Sequence, residues 1–166
     1  MTLQDLKEKV DNYKNSIEKV SQNREYWQNH TKPLLKDTLE KIKETYPLDW
    51  NVQVLDWTSN SEGVNITFGK KPSGIYEQTE TSSRHYVKKG GTIVFSQAGN
   101  GDVFIIILYP SIEELVSEKE HKVLGKISPE KITEELIIEN VGVFLDEMAK
   151  WENSNEQNSL GYFRKG

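Results

Sequence analysis

Apolar residues near the N-terminus recur at alternating spacings of three and four from Leu3 to Val20, the pattern of a heptad repeat, and Arg24 occupies the next position of the series before Trp27. Polar residues lie between them, and neither proline nor glycine occurs from Met1 to Thr31, so this segment is predicted to form one long helix. Its narrow apolar seam either packs on the protein's own second helix or sheet, or meets its copy in a dimer. The residues of this predicted dimer seam are Leu3, Leu6, Val10, Tyr13, Ile17, Val20 and Trp27.

Two later stretches also have helical periodicity, over residues 32–45 and 128–151. Thr31 and Ser128 can cap these helices, and a proline follows in the first turn of each. We expect the second of these helices to place its apolar stripe on a sheet. A short acidic helix is also predicted over residues 111–116.

A hairpin is predicted in the middle of the chain, between Gly90 and Pro110. The pair Asn100-Gly101 is typical of a type I′ turn, which would set Phe95 opposite Ile106. The second strand of this hairpin, Val103–Leu108, has no polar alternation. Both of its faces are therefore expected to be covered by protein.

Other stretches are predicted to add strands beside this hairpin. Residues 50–57 and 64–68 alternate apolar and polar side chains and are predicted to pair with each other. Residues 121–127 are a weaker candidate for an edge strand. Residues 70–89 show no regular pattern and are expected to form a long polar loop, which in a compact domain is either functional or mobile.

Together these elements predict an α+β fold in one domain, 1–166, with an antiparallel sheet of four to six strands packed against long N-terminal helices and a C-terminal helix. Its parts are a helical segment (1–46), the sheet (50–127), the C-terminal helix (128–152) and a polar tail (153–166). The layout resembles that of small secretion chaperones and other adaptor domains, an architectural analogy that transfers no site.

Composition and charge exclude several kinds of site and partner. The chain has 166 residues, a net charge of −5 and no cysteine, which excludes disulfides and thiolate metal sites. Residues 111–152 carry eleven acidic and five basic side chains, and no basic stripe is present, so nucleic acid is not an expected partner. No apolar stretch approaches the ~20 residues of a membrane helix. The charged N-terminus lacks a signal core, and a cytoplasmic protein is expected.

Motifs for catalysis or cofactor binding are not found in the sequence. His30, His85 and His121 lie far apart and lack the spacing of metal ligands. We therefore predict no catalytic residue, no metal and no cofactor. Asp56 and Asp102, in or near predicted strands, leave one enzymatic alternative, a small metal-dependent hydrolase or nuclease that uses carboxylates.

A ligand site is predicted at the ends of the polar loop 70–89. Tyr76 and Tyr86 flank this loop, and Arg84 and His85 would supply polar groups, as in pockets that are mostly apolar with a few polar contacts. The main functional prediction is a non-enzymatic intracellular binding or adaptor protein. Its expected partner is another protein or a second copy of the same chain, with neither nucleic acid nor membrane involved.

Overall fold

A five-stranded antiparallel sheet with helices packed against it defines an α+β fold, which confirms the class predicted from the sequence. The structure is a computed structural model. The residues that it describes are 1–58, 61–81, 83–112, 115–116, 120–156 and 163–164. The helices are α1 (Leu3–Tyr26), α2 (Lys32–Thr45) and α3 (Glu134–Glu156).

The strands of the described residues form one large sheet and two small ones. They are β1 (Trp50–Thr58), β2 (Ser61–Phe68), β3 (Lys71–Gln78), β4 (Ser83–Lys89), β5 (Thr92–Gln97), β6 (Val103–Leu108), β7 (Ser111–Ile112), β8 (Leu115–Val116), β9 (His121–Ile127) and β10 (Phe163–Arg164). The large sheet has the order β1-β2-β5-β6-β9 and is antiparallel throughout. The small sheets are β3-β4-β7 and β8-β10.

The core lies between one face of the large sheet and the helices α2 and α3. Phe144 of α3 is fully buried, and its ring stacks on that of Phe68 with centroids 5.8 Å apart. Phe68 stacks in turn on Trp50 at 5.3 Å. Leu35 and Leu39 of α2 belong to the same core. Burial contributes roughly 1.5–3 kcal/mol for each large apolar side chain, and this layer therefore fixes the helices on the sheet.

The first two helices join without a break in the helical backbone. A π-helical turn, Trp27–Thr31, connects them, and helical backbone angles continue into Lys32 with φ −60° and ψ −48°. Pro33 lacks the N–H that would bond to the Asn29 carbonyl, and the wider π turn is one way for a helix to pass such a site. The predicted cap at Thr31 is wrong, because its hydroxyl donates to the Pro129 carbonyl at 2.9 Å instead.

The loop of the central hairpin differs from the predicted type I′ turn. The Gly101 N–H donates to the Ala98 carbonyl at 3.0 Å, and Gly101 alone in this fully described loop has a positive φ, +86°. The result is a three-residue loop that ends in a left-handed glycine. One additional loop residue shifts the register, so Phe95 pairs with Ile105 rather than with the predicted Ile106.

The prediction that both faces of β6 are covered is also wrong. Alternate side chains of Val103–Ile107 are buried in the core, whereas those between them are half-buried and Leu108 is 43% exposed. Ile106 is sheltered by its cross-strand neighbours, which include Val123 of β9. β6 therefore packs one face against the helices, and its other face is sheltered mainly by side chains of the adjacent strands.

Residues 70–89 form the hairpin β3–β4 instead of the predicted loop. Pro72 and Gly74 interrupt the alternation of β3, and the pairing register shifts between Pro72 and Tyr76. Both features disrupt the alternation of apolar and polar residues by which a strand is recognised in a sequence. The predicted edge strand over 121–127 is confirmed as β9.

Two helix predictions in the C-terminal half of the chain need correction. The acidic helix over 111–116 is absent from its described residues, which form β7 and β8 instead. The C-terminal helix does not begin at Ser128, because Pro129–Lys131 is a separate 3-10 turn. The hydroxyl of Thr133 accepts the Leu136 N–H at 3.1 Å, and α3 follows this cap.

Candidate functional site

The N-terminal part of α1 is a solvent-exposed helical arm. Every residue from Met1 to Lys19 is exposed, and Asn23 is the buried residue of α1. At 1.5 Å per residue the helical part of this stretch, residues 3–19, is about 25 Å long. We call residues 1–19 the α1 arm.

The apolar heptad residues of the arm face solvent. Their exposed fractions are 88% for Leu3, 42% for Leu6, 41% for Val10, 67% for Tyr13 and 52% for Ile17. We call these five residues the open seam. Of the other two residues in the predicted seam, Val20 is half-buried and Trp27 is only 1% exposed and belongs to the core. Trp27 is therefore not available to a dimer, and packing on the protein's own body explains that end of the seam.

Arg24 fixes the base of the arm to the central hairpin. It occupies the heptad position after Val20, and its Nη2 donates to the Gly99 carbonyl at 2.6 Å. The same hairpin fits closely against α1, because a Cβ at Gly101 would lie 2.6 Å from the Cβ of Asn23. The arm consequently leaves the body in a defined direction.

The free end of the arm is capped by its own residues. The Thr2 hydroxyl accepts the Asp5 N–H at 3.3 Å, and the Asp5 carboxylate accepts the Thr2 N–H at 2.8 Å. The hydrogen bond from the Thr2 backbone lowers the pKa of the Asp5 carboxyl. This capping box satisfies backbone donors without help from the rest of the protein. Local interactions thus preform the helix that carries the open seam.

The predicted ligand site falls on the β3–β4 hairpin. The backbones of Tyr76 and His85 pair with each other, and Arg84 pairs with Glu77. The side chains of Tyr76, Arg84 and His85 lie outside the described part of the structure, so a ligand site there stays a prediction. Tyr86 is 3% exposed and belongs to the core. It is therefore a packing residue rather than part of an open surface.

A small cavity lies where α3 meets the edges of several strands. Its volume is about 220 Å³, and its lining includes Phe68, Gly90, Gly91, Pro110 and Met148. Ligand pockets ordinarily have volumes of about 300–1,000 Å³, and this cavity is smaller. Sequence reasoning missed it because its lining comes from distant segments. The adjacent residues Gly90 and Gly91 are the sequence feature that could have indicated this cavity.

A buried carboxylate joins α3 to the end of the large sheet. The Tyr109 hydroxyl donates to Glu147 Oε2 at 2.6 Å, and the Nζ atoms of Lys122 and Lys150 lie 3.4 and 3.6 Å from Oε1. The hydrogen bond from Tyr109 lowers the pKa of Glu147. Burial, followed by the neighbouring carboxylate, raises the pKa of Tyr109 to about 12. These partners balance the charge of Glu147 within the fold.

Tyr109 is expected to ionise at higher pH than an ordinary tyrosine. Its pKa is raised from 10.0 to about 12, so the associated stability is present below pH 10 and is lost as the pH rises toward 12. At about 1.4 kcal/mol per pH unit, the loss is roughly 3 kcal/mol. Titration of tyrosinate absorbance in the folded protein should show a late component that Tyr109→Phe removes. A titration curve that this substitution leaves unchanged would contradict the assignment.

The carboxylates of the enzymatic alternative do not share a cleft. Asp56 and Asp102 lie at the same end of the sheet, on β1 and just before β6. Three strand spacings separate them, roughly 14 Å, and strand alternation puts them on opposite faces. Within the described ranges, no group of three His, Asp or Glu side chains could hold a metal ion. A carboxylate hydrolase or nuclease stays a prediction that no observed geometry favours.

Fold and site together define an α+β protein with an exposed amphipathic helix at its N-terminus. In the part of the chain that the structure describes, no helix has both the length and the apolar character needed to cross a membrane. Comparisons with protein-family models, curated proteins and solved structures find no match to this chain. The function is therefore inferred from the arm itself.

Proposed function

We propose that this chain is a non-enzymatic intracellular binding or adaptor protein that holds a partner protein through the open seam. The observation that carries this proposal is the exposure of five apolar residues at heptad spacing on a self-capped helix. A helix with this spacing binds by placing its apolar stripe on a partner's groove or helix.

The energetics of exposure support a binding role. Leu3, Tyr13 and Ile17 are each more than half exposed, at 88%, 67% and 52%. Burying a large apolar side chain contributes roughly 1.5–3 kcal/mol, so a partner that covers the seam gains a substantial free energy. Contiguous exposed apolar surface of this kind marks interaction sites in natural proteins.

Charged substitutions in the open seam test the proposal. Val10→Glu combined with Ile17→Glu should abolish co-purification of the partner from the source cells, because both side chains are apolar contacts of the seam. The control is Gln4→Glu with Asn12→Glu, which makes the same charge change on the outer side of α1 and should retain the partner. Urea midpoints of both variants should match that of the unmodified chain, since all four positions are exposed.

The purified partner must then bind the purified chain directly. The seam substitutions should reduce this affinity, whereas the control substitutions on the outer side of α1 should leave it unchanged. Recovery of the same proteins by the unmodified chain and both variants would show that the open seam is not the binding surface.

A further inference from the structure

The open seam has a lysine border. When Leu3 is placed at position a of the heptad, each remaining residue of α1 receives a defined heptad position. The bordering positions e and g then hold Thr2, Lys7, Lys9, Lys14, Ser16, Ser21 and Asn23. None of these is acidic. The acidic residues of the arm occupy outer positions b, c and f, and they are Asp5, Glu8, Asp11 and Glu18.

The three border lysines are Lys7, Lys9 and Lys14. All of them are exposed, and among the residues that the structure describes none of them has an ion pair or hydrogen bond. Asp5 lies four residues before Lys9 and could pair with it in a helix, but its carboxylate instead caps the helix with Thr2. The arm therefore presents an apolar centre with a positive border.

We infer that the occupant of the open seam is an amphipathic helix with acidic residues along its own border, rather than a second copy of this chain. The inference rests on the proposed function. In a parallel pair of arms, Lys9 of each copy would face Lys14 of the other, and an antiparallel pair would bring Lys7 toward Lys14. Like charges at these positions oppose self-association. Glutamates at the same positions of a partner would pair with all three lysines and select that partner.

Two synthetic peptides test this inference on the full chain. Both carry isoleucine and leucine at positions a and d over the length of the arm. One has glutamate at e and g, and the other has lysine. We expect the glutamate peptide to bind at least about tenfold more tightly, with a difference that shrinks as added salt screens the charges. Titration calorimetry or fluorescence anisotropy measures both affinities.

Charge reversal on the protein supplies the matched controls. Changing Lys7, Lys9 and Lys14 together to glutamate should reverse the preference, whereas Lys19→Glu, at an outer position, should leave it in place. Light scattering of the unmodified chain should give the mass of one chain over a wide concentration range.

A dimer mass, equal affinity for the two peptides, or no binding of either peptide would overturn the inference. The proposed function would survive each of these outcomes if the co-purified partner still depended on the seam.

Discussion

Replacing Phe144 by alanine is expected to lower the free energy of unfolding by about 3–5 kcal/mol. Its side chain is 0% exposed, and its ring stacks on Phe68 with centroids 5.8 Å apart. Truncation removes this contact and leaves a cavity between α3 and the sheet that close-packed neighbours fill only in part. Urea unfolding followed by circular dichroism measures the loss.

The adjacent residue gives the control for this experiment. Val143 is 41% exposed on the outer side of α3, so Val143→Ala should change stability by no more than about 0.5 kcal/mol. A loss of about 3–5 kcal/mol is a large fraction of the roughly 5–15 kcal/mol by which native domains are stable. Phe144→Leu, which keeps most of the buried volume, should therefore give a smaller loss that can be measured even if Phe144→Ala does not fold. Equal losses at positions 143 and 144 would contradict the placement of the core.

Regular periodicity allowed the main elements to be predicted from the sequence. Ile137, Val141 and Phe144 recur at the spacing of one helical face, and all three are buried against the sheet. The strands of the central hairpin were equally visible as apolar runs. An element that contacts the core at regular intervals has apolar residues at the same intervals in its sequence, and this periodicity can be recognised.

Local features that depend on distant contacts could not be predicted. Asn100-Gly101 favours a type I′ turn by itself, but Gly101 lies against Asn23 of α1, a segment far away in the chain. A longer loop forms, and the register of the hairpin shifts by one residue. The β3–β4 hairpin escaped prediction for a different reason, since Pro72 and Gly74 break its alternation.

The candidate site was predictable as a pattern but not as a surface. A heptad shows that one side of a helix is apolar, yet it does not reveal what covers that side. Leu3 and Trp27 belong to the same repeat, and their exposed fractions are 88% and 1%. Arg24 was the sequence signal of this change, because a charged residue at a seam position marks where α1 meets the hairpin through Gly99.

One added methyl group is expected to have opposite effects at two glycines. In Gly90→Ala, the new Cβ would lie 2.5 Å from both the Cβ and the carbonyl oxygen of Phe68. Phe68 is poorly able to move, because its N–H donates to the Gly91 carbonyl at 2.9 Å and its ring stacks between Trp50 and Phe144. We expect this overpacking to lower the free energy of unfolding by about 1–3 kcal/mol, measured by urea titration.

Gly142→Ala makes the same chemical change where space is available. Gly142 is exposed in the interior of α3, and a Cβ there meets no atom of the described residues within 4 Å apart from the adjacent helix backbone. Alanine loses less conformational entropy than glycine on helix formation, so this variant should gain about 0.5–1 kcal/mol. Because the two substitutions differ only in their surroundings, changes of the same sign would mean that the contact between Gly90 and Phe68 does not decide the outcome at that position.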